Sequence, residues 1–251
     1  MTQEMLEAGP PGGDVLSVFD FDGTLTRRDS FVPFLMFAFG KKTFVLRIAR
    51  MLPACIRYAA KGMSRDELKA ALIASFLAGV EAQWVERKAA EFRKAFWKRL
   101  MRPAGLRSVA AEIASGAQVT LCSASPRLVL QPFAEQLGIK LIATELEVVD
   151  GKLTGNITGS NCRCEAKVLR LEAVYGPLDQ YRLRAWGDTR GDHELLAAAH
   201  EPHWRHFHPR WQRGRMSIEK IGARVREGEA VKNSVTGVAG DRRTHDDQQG
   251  A

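Results

Sequence analysis

The first organised pattern along the chain is an apolar run that ends on charge. "DVLSVFDFD" (14–22) is apolar for most of its length and polar at its end, which predicts a short buried strand. From Ser30 to about Pro103 the pattern turns helical, with long apolar and basic stretches, no strand-like alternation, and breaks at Pro53 and "KGMS" (61–64). Within that stretch Ser64 stands three residues before Glu67, the pairing in which each side chain caps the other's backbone N–H at a helix start. Gly79 lies near the end of the same helix. Residues 30–103 therefore read as an all-helical insertion.

Beyond residue 105 strand and helix alternate. The order is helix "GLRSVAAEIASG" (105–116), strand "AQVTLCSAS" (117–125), helix "PRLVLQPFAEQLG" (126–138) with Pro126 as its first helical residue, then apolar "KLIATELEV" (140–148). "ELEVVDGKLTGNI" (145–157) reads as two short runs around Asp150-Gly151, a dipeptide that favours a tight hairpin turn. Helix "EAKVLRLEAVYG" (165–176), strand "YRLRAWGD" (181–188) and a last helix from about Asp192 complete the series. Such alternation predicts an α/β fold, a doubly wound, Rossmann-like parallel sheet with helices on both faces. Residues 14–29 and 104–210 would form this core and 30–103 the insertion. Residues 1–13 and the charged, aromatic-poor tail 211–251 are expected to be disordered, and no internal repeat is present.

Composition narrows the picture little. With 251 residues, 45% of them hydrophobic and 26% charged, the chain has the make-up of a globular protein able to bury a core. The net charge of +8 is the anomaly, compatible with nucleic acid, an anionic membrane surface or an anionic small substrate as partner. Four cysteines, Cys55, Cys122, Cys162 and Cys164, form no zinc-type set and are too sparse for a disulfide scaffold, which suits a reducing, cytoplasmic setting. "MTQEMLEAGPPGGD" lacks the basic and apolar regions of a secretory signal, and no apolar run approaches a membrane span. A peripheral position at a membrane surface stays open.

The candidate chemistry collects at the carboxyl ends of the predicted strands, where ligands bind in parallel α/β sheets. Asp20 and Asp22, Ser123 and Ser125, and Asp188 and Asp192 all stand there. Residues two apart on a strand face the same side, so Asp20 and Asp22 address one site, and Gly23 lets the chain turn sharply out of the sheet. Two neighbouring carboxylates raise one another's pKa unless a cation or shared chemistry makes them tolerable. A hard divalent cation such as magnesium, taking oxygen ligands from more than one strand, would do so.

These residues carry a resemblance. "DFDGTLT" (20–26), Ser123 in "LCSAS", Lys167 in "CEAKV", and Asp188 and Asp192 in "WGDTRGDHELL" (186–196) resemble, in order, the four motifs of the haloacid dehalogenase superfamily of aspartate-nucleophile phosphohydrolases. The resemblance implies that Asp20 attacks phosphorus and forms an aspartyl-phosphate, while Asp22 serves as general acid and then base. It implies that Ser123 and Lys167, with Thr24 and Ala124, bind the phosphoryl group. Magnesium would be held by Asp188, Asp20 and the backbone carbonyl of Asp22, with Asp192 fixing Lys167 and the metal's waters. The dehalogenase branch lacks the second aspartate, present here as Asp22, and "DFDGT" is not the "DKTGT" of P-type ATPases.

The insertion resembles the type 1 cap of this superfamily, which closes over the site and selects substrates. "DGTLTRRDSFVPFL" (22–35), "SASPRLVL" (123–130) and "NCRCEAKVLRL" (161–171) resemble subfamily IB, which holds phosphoserine phosphatases and the phosphatidylglycerophosphatase C type. Cys164 stands where glycine is expected and Ala166 where an acidic residue is common. Asp29, Arg47, Arg50 and Arg57 are the cap-side substrate candidates. On a helical wheel Arg47, Arg50, Arg57 and Lys61 share a sector of roughly 80°, a basic stripe suited to anionic lipid headgroups or to plain solvent. The expected substrate is a lipid phosphate such as phosphatidylglycerophosphate. A small metabolite of the phosphoserine type is the alternative, and a non-catalytic binding protein on the same fold is a third. "HEPHWRHFHPR" (200–210) lacks metal-site spacing and reads as a strand with a polar rim, and no nucleic-acid module is recognisable.

Overall fold

A computed structural model describes residues 14–209 and Gly222. Apart from Gly222, the tail expected to be disordered, like residues 1–13, lies outside the described residues. The core is a six-stranded sheet of order β4-β3-β2-β1-β5-β6. Its strands are β1 (Val15–Phe19), β2 (Gln118–Pro126), β3 (Lys140–Val149), β4 (Lys152–Thr158), β5 (Arg182–Gly187) and β6 (Glu201–Trp204). All neighbours run parallel except β3 and β4. That is the doubly wound α/β arrangement the alternation predicts, with the first strand at the centre.

Strand β1 shows how the apolar run is divided. Leu16 and Val18 face one layer with Leu171, Leu183, Leu195 and Leu196, and Phe19 faces the other with Leu121, Phe133 and Trp186. The period of two thus places both halves of a continuous apolar run on buried faces. Ser17 faces the Phe19 side, where its hydroxyl donates to Glu112 Oε2 at 2.6 Å, and Glu112 also holds Arg184 at 3.0 Å. A buried polar group is thereby satisfied on α5 (Pro103–Ala114).

Between β1 and α5 the chain forms four α-helices, α1 (Phe31–Arg50), α2 (Leu52–Ala59), α3 (Arg65–Leu77) and α4 (Ala82–Leu100). Gly40 leaves helical geometry at φ 77°, so α1 is two segments joined by a bend. Ser64 and Glu67 form the reciprocal cap at the start of α3. Core and cap share one apolar cluster, in which Phe92 of the cap packs on Phe34 and on Phe133 of the core. Remaining helices are α6 (Arg127–Leu137), α7 (Glu165–Tyr175) and α8 (His193–Ala198).

One element differs from the sequence reading. Pro126 ends β2 with extended backbone, and α6 begins at Arg127, because the strand continues one residue farther than its apolar pattern. The overlapping runs before Asp150 form one ten-residue strand, β3, whose first half pairs with β2 and whose second half pairs with β4. Asp150 and Gly151, both at positive φ, make the turn between β3 and β4. That hairpin anchors the insertion: Gly79 N donates to Leu153 O, Leu153 N to Val80 O, and Ala82 N to Gly151 O. Gly155 lets α3 approach, since a Cβ there would lie 2.9 Å from Ala78 Cβ.

Candidate active site

Strand β1 stops where Asp20 N donates to Trp186 O at 2.9 Å, and residues 21–25 wind into one wide helical turn closed by Thr26 N on Phe21 O. The turn brings Gly23 against Asp188. A Cβ on Gly23 would sit 2.3 Å from Asp188 Oδ2, and the residue holds φ 87°. Two independent requirements, space and left-handed backbone, thus demand glycine here. Gly23→Ala is expected to displace Asp188, to weaken divalent-cation affinity at least tenfold, and to cost about 1–2 kcal/mol from the backbone alone. Calorimetric magnesium titration and thermal melts check this, and an alanine variant with parental affinity would refute the crowding argument.

Four charges meet at the centre. Lys167 Nζ, at the start of α7, donates to Asp20 Oδ1 at 2.7 Å and to Asp192 Oδ1 at 2.6 Å, and its side chain is 2% exposed. Burial alone would discharge the lysine, but Asp192 and Asp20 hold it charged, well above the usual range. Burial and the charges of Asp192 and Asp188 push Asp20 well up, although Lys167 opposes them. Asp192, buried as well, is held low by Lys167 and by the backbone N–H and hydroxyl of Thr189. Burial, then Asp192, pushes Asp188 up to about 6.

Asp20, Asp188 and Asp192 each bring a carboxylate oxygen within 4.8 Å of the others. Three buried carboxylates facing one ammonium carry an excess of negative charge, and their donors are all oxygen. That set fits a hard divalent cation such as magnesium. Asp192, read from sequence as standing behind the metal, contributes an oxygen to this cluster. The Asp22 carboxylate does not; it accepts from Ser125 Oγ at 2.5 Å and Ser30 N at 2.7 Å, and burial, then Asp29, pushes it up to about 6.

The cluster opens into a cavity of about 510 Å³ between core and cap. Asp20, Asp22, Ser123, Ala124, Lys167 and Asp192 line its floor. Thr24 is buried beneath it, its hydroxyl donating to Asp188 Oδ1 at 3.2 Å. Asp29 lines the cavity, while Arg47, Arg50 and Arg57 do not. Arg47 instead donates to the carbonyls of Ser75 and Phe76 near the end of α3 and lies over Phe39, so the basic stripe of the wheel loses a member to structure.

Sequence reasoning missed Lys69. It projects from α3 into the cavity and donates to the Ala124 carbonyl and, at 2.8 Å, to Asn161 Oδ1. Asn161 in turn donates to Asp66 Oδ1 at 2.6 Å, and Thr144 holds the Ala124 carbonyl from below. His208, from the histidine-rich segment, places Nε2 2.9 Å from Gly23 O and 3.4 Å from Asp188 Oδ2. Nothing in local sequence pattern marks either residue, since each reaches the site across the fold. Ser125 had a signal: it stands two positions after Ser123 on β2.

Comparison with known proteins places this geometry. The family described as haloacid dehalogenase-like hydrolase matches residues 17–197. Protein CicA of Caulobacter vibrioides (strain NA1000 / CB15N) is 41% identical over 195 residues, covering 77% of this chain and 86% of CicA. Among solved structures, the protein with unknown function from Bordetella pertussis Tohama I superposes with TM-score 0.62 at 23% identity, over 74% of this chain and 87% of its own. A phospho-aspartyl intermediate analogue of phosphoserine phosphatase superposes with TM-score 0.53 at 20% identity, over 75% and 84%.

Proposed function

Because the chain belongs to the haloacid dehalogenase-like hydrolases, we propose that it hydrolyses a small, anionic phosphate monoester through an aspartyl-phosphate on Asp20. The observation that carries this reading is the placement of Asp20 on Lys167 at the floor of a cavity that Asp22 and Ser123 also line.

In the first step an Asp20 oxygen attacks phosphorus, the P–O bond to the alcohol breaks, and Asp22 gives the departing alkoxide its proton. An Asp22 pushed up to about 6 holds a proton more readily than an ordinary carboxyl, which suits the acid role. In the second step Asp22 takes a proton from water, the water oxygen bonds to phosphorus, and the Asp20 carboxylate is released with inorganic phosphate. Lys167 and Ser123 hold the phosphoryl oxygens in both steps. A divalent cation held by Asp20, Asp188 and Asp192, with the Asp22 carbonyl as a further oxygen donor, would neutralise charge on those oxygens.

The leaving group faces Arg28, Arg65, Lys69 and Arg163 on the outer cavity wall, with Asp29 and Asp66 among them. Cations for a carboxylate and acids for an ammonium suit a phosphoserine-type ester, and the likeness of fold to a phosphoserine phosphatase supports the same class. A lipid phosphate is the second reading, favoured by the apolar and basic outer surface of α1 and α2. Magnesium-dependent phosphate release, measured on phosphoserine, a panel of soluble monoesters and phosphatidylglycerophosphate in mixed micelles, tests both. Turnover confined to the lipid would overturn the first reading, and silence on every ester with magnesium present would overturn hydrolysis itself.

Lys69 supplies a pH signature. Burial lowers it to about 8, with Asp22 and Asp66 pulling the other way. Its charge is present below that value and lost above it, so kcat/KM for phosphoserine is expected to fall as pH passes from 7 to 9. Lys69→Met should lower kcat/KM at pH 7 by roughly tenfold or more and remove that limb, since about 1.4 kcal/mol is a tenfold change. Stability should move oppositely. The unfolded chain keeps the lysine proton up to about 10.4, so this group adds stability as pH rises from 8 toward 10. An unchanged pH profile in Lys69→Met would remove the lysine from substrate recognition.

A further inference from the structure

We propose that the outer faces of α1 and α2 form a docking surface for an anionic lipid bilayer. This goes beyond the hydrolytic reading and holds whichever ester is the substrate.

Charge is the first observation. From Ser30 to Arg65 the chain carries Lys41, Lys42, Arg47, Arg50, Arg57, Lys61 and Arg65 and no acidic residue, in a protein whose whole net charge is +8. Arg47 turns inward to the end of α3, and Lys41, Lys42, Arg50, Arg57 and Lys61 are exposed.

The second observation is the apolar surface between those cations. Four of the twelve large hydrophobic residues that stand exposed among the described residues, Val45, Leu46, Leu52 and Ile56, lie between Lys41 and Arg57. Val45 is 64% exposed, and Leu46, Leu52 and Ile56 are each more than half exposed. Their spacing is helical: positions 41, 45 and 49 and positions 42, 46 and 50 are exposed along the second segment of α1, as are 52, 56 and 60 and 53, 57 and 61 along and just beyond α2. On α1 the two rows set Val45 and Leu46 one turn from Lys41, Lys42 and Arg50, and on α2 an aliphatic row of Leu52 and Ile56 runs beside a basic row of Arg57 and Lys61. Helix α2 buries none of its residues, and the buried Met51 pins the junction between the two helices. A solvated helix face carries charge of both signs, whereas this one carries aliphatics and cations and no acidic residue.

An anionic bilayer satisfies both halves. Leucine, isoleucine and valine enter the boundary between headgroups and acyl chains, and the cations remain among the headgroup phosphates. Nucleic acid would use the cations and leave the aliphatics in water. Tyr58, on α2 beyond Ile56, lines the catalytic cavity, so the docking helix runs from the bilayer face to the mouth of the site.

Sedimentation of the full chain with phosphatidylglycerol–phosphatidylcholine vesicles, beside pure phosphatidylcholine vesicles, tests the surface without reading turnover. The protein is expected to pellet with the anionic vesicles, to be released as salt rises, and to remain in solution with the neutral ones. Lys41→Glu/Lys42→Glu and, at unchanged charge, Leu46→Ser/Ile56→Ser should each weaken binding on the order of tenfold or more. Both pairs should hydrolyse a soluble aryl phosphate at the parental rate, which reports a preserved fold. Absence of anionic-vesicle binding overturns the proposal. Binding untouched by both pairs does too, because it places the contact elsewhere. Self-association abolished by Leu46→Ser/Ile56→Ser also overturns it, by assigning the face to a second copy, and so does duplex binding lost in Lys41→Glu/Lys42→Glu without vesicle binding.

Discussion

Asp20→Asn is expected to abolish phosphate release, by a factor on the order of 10⁵ or more, while leaving the protein as stable as its parent or more so. The activity loss follows from chemistry, because a neutral amide cannot form the acyl-phosphate through which the two displacements are divided. The stability result follows from charge. Asp20 is buried between Asp192 and Asp188, and its pKa stands well above the ordinary value despite Lys167. A carboxyl whose folded pKa is raised binds more protons in the folded than in the unfolded state, so its ionisation lowers stability as pH rises through that interval. Asparagine removes that loss, and in the absence of divalent cation the variant's advantage should grow with pH. Single-turnover phosphate release, hydroxylamine-sensitive phosphoenzyme after acid quench, and melts at pH 5 and pH 7.5 measure these outcomes. Residual turnover within a hundredfold of parent would place the nucleophile elsewhere. An inactive parent that still binds phosphate esters, and an Asp20→Asn protein that binds them equally, would assign the chain to the non-catalytic alternative.

The parallel core was legible because its cause is local. "VLSVF" could be placed as a buried strand from an apolar run that ends on Asp20 and Asp22, and Ser64 with Glu67 marked the start of α3 from four residues of sequence. The carboxyl-end residues were legible for the same reason, since the sheet rule converts position on a strand into membership of a site. Lys69 and His208 were not, because their place depends on how α3 lies on β4 and how the chain returns after β6. The wheel misread Arg47: helical spacing gives direction around one axis but not the neighbour that waits there, here the carbonyls of Ser75 and Phe76. What the sequence did not convey of β3 is its change of partner from β2 to β4, which coincides with the change of its pattern from buried to exposed.

The cap's attachment bears on how the site can open. Residues 79–82 exchange backbone hydrogen bonds with β4, and α4 packs its aromatic face on Phe133 of α6. These contacts fix α3 and α4, and Lys69 with them, to the core. Helices α1 and α2 meet the rest through fewer buried residues, Phe31, Phe34 and Leu35 before the Gly40 bend and Met51 after it. After Gly40 the chain is held by Met51, by Phe44 on Phe76 and by the hydrogen bonds of Arg47 to Ser75 and Phe76, and the outer face of this segment carries the exposed aliphatics.

Lys167→Met should be the most damaging single change to stability, and it should cost turnover heavily as well. The ammonium is the partner that Asp20 and Asp192 share, at 2.7 and 2.6 Å, and all three side chains are buried. Removing it leaves buried carboxylates opposed only by one another, a loss of roughly 3–5 kcal/mol for a broken buried pair. Turnover should fall by a factor on the order of 10³ or more, because the charge that faces the transferring phosphoryl group goes with it. The pH dependence separates this cause from a packing defect. In the parent, Lys167 is held charged above the ordinary lysine range, so its contribution is complete below about pH 10 and does not vary between 5 and 8. In the variant the stranded carboxyls have raised folded pKa values, so their protons are retained on folding at low pH and the deficit widens as pH rises from about 4. Magnesium should recover part of the stability by mass action, since a divalent charge among Asp20, Asp188 and Asp192 replaces the missing cation. Denaturant melts at pH 5 and pH 8, with and without magnesium, measure both effects. A deficit equal at the two pH values and indifferent to the metal would show that Lys167 holds the site by its packing rather than by its charge.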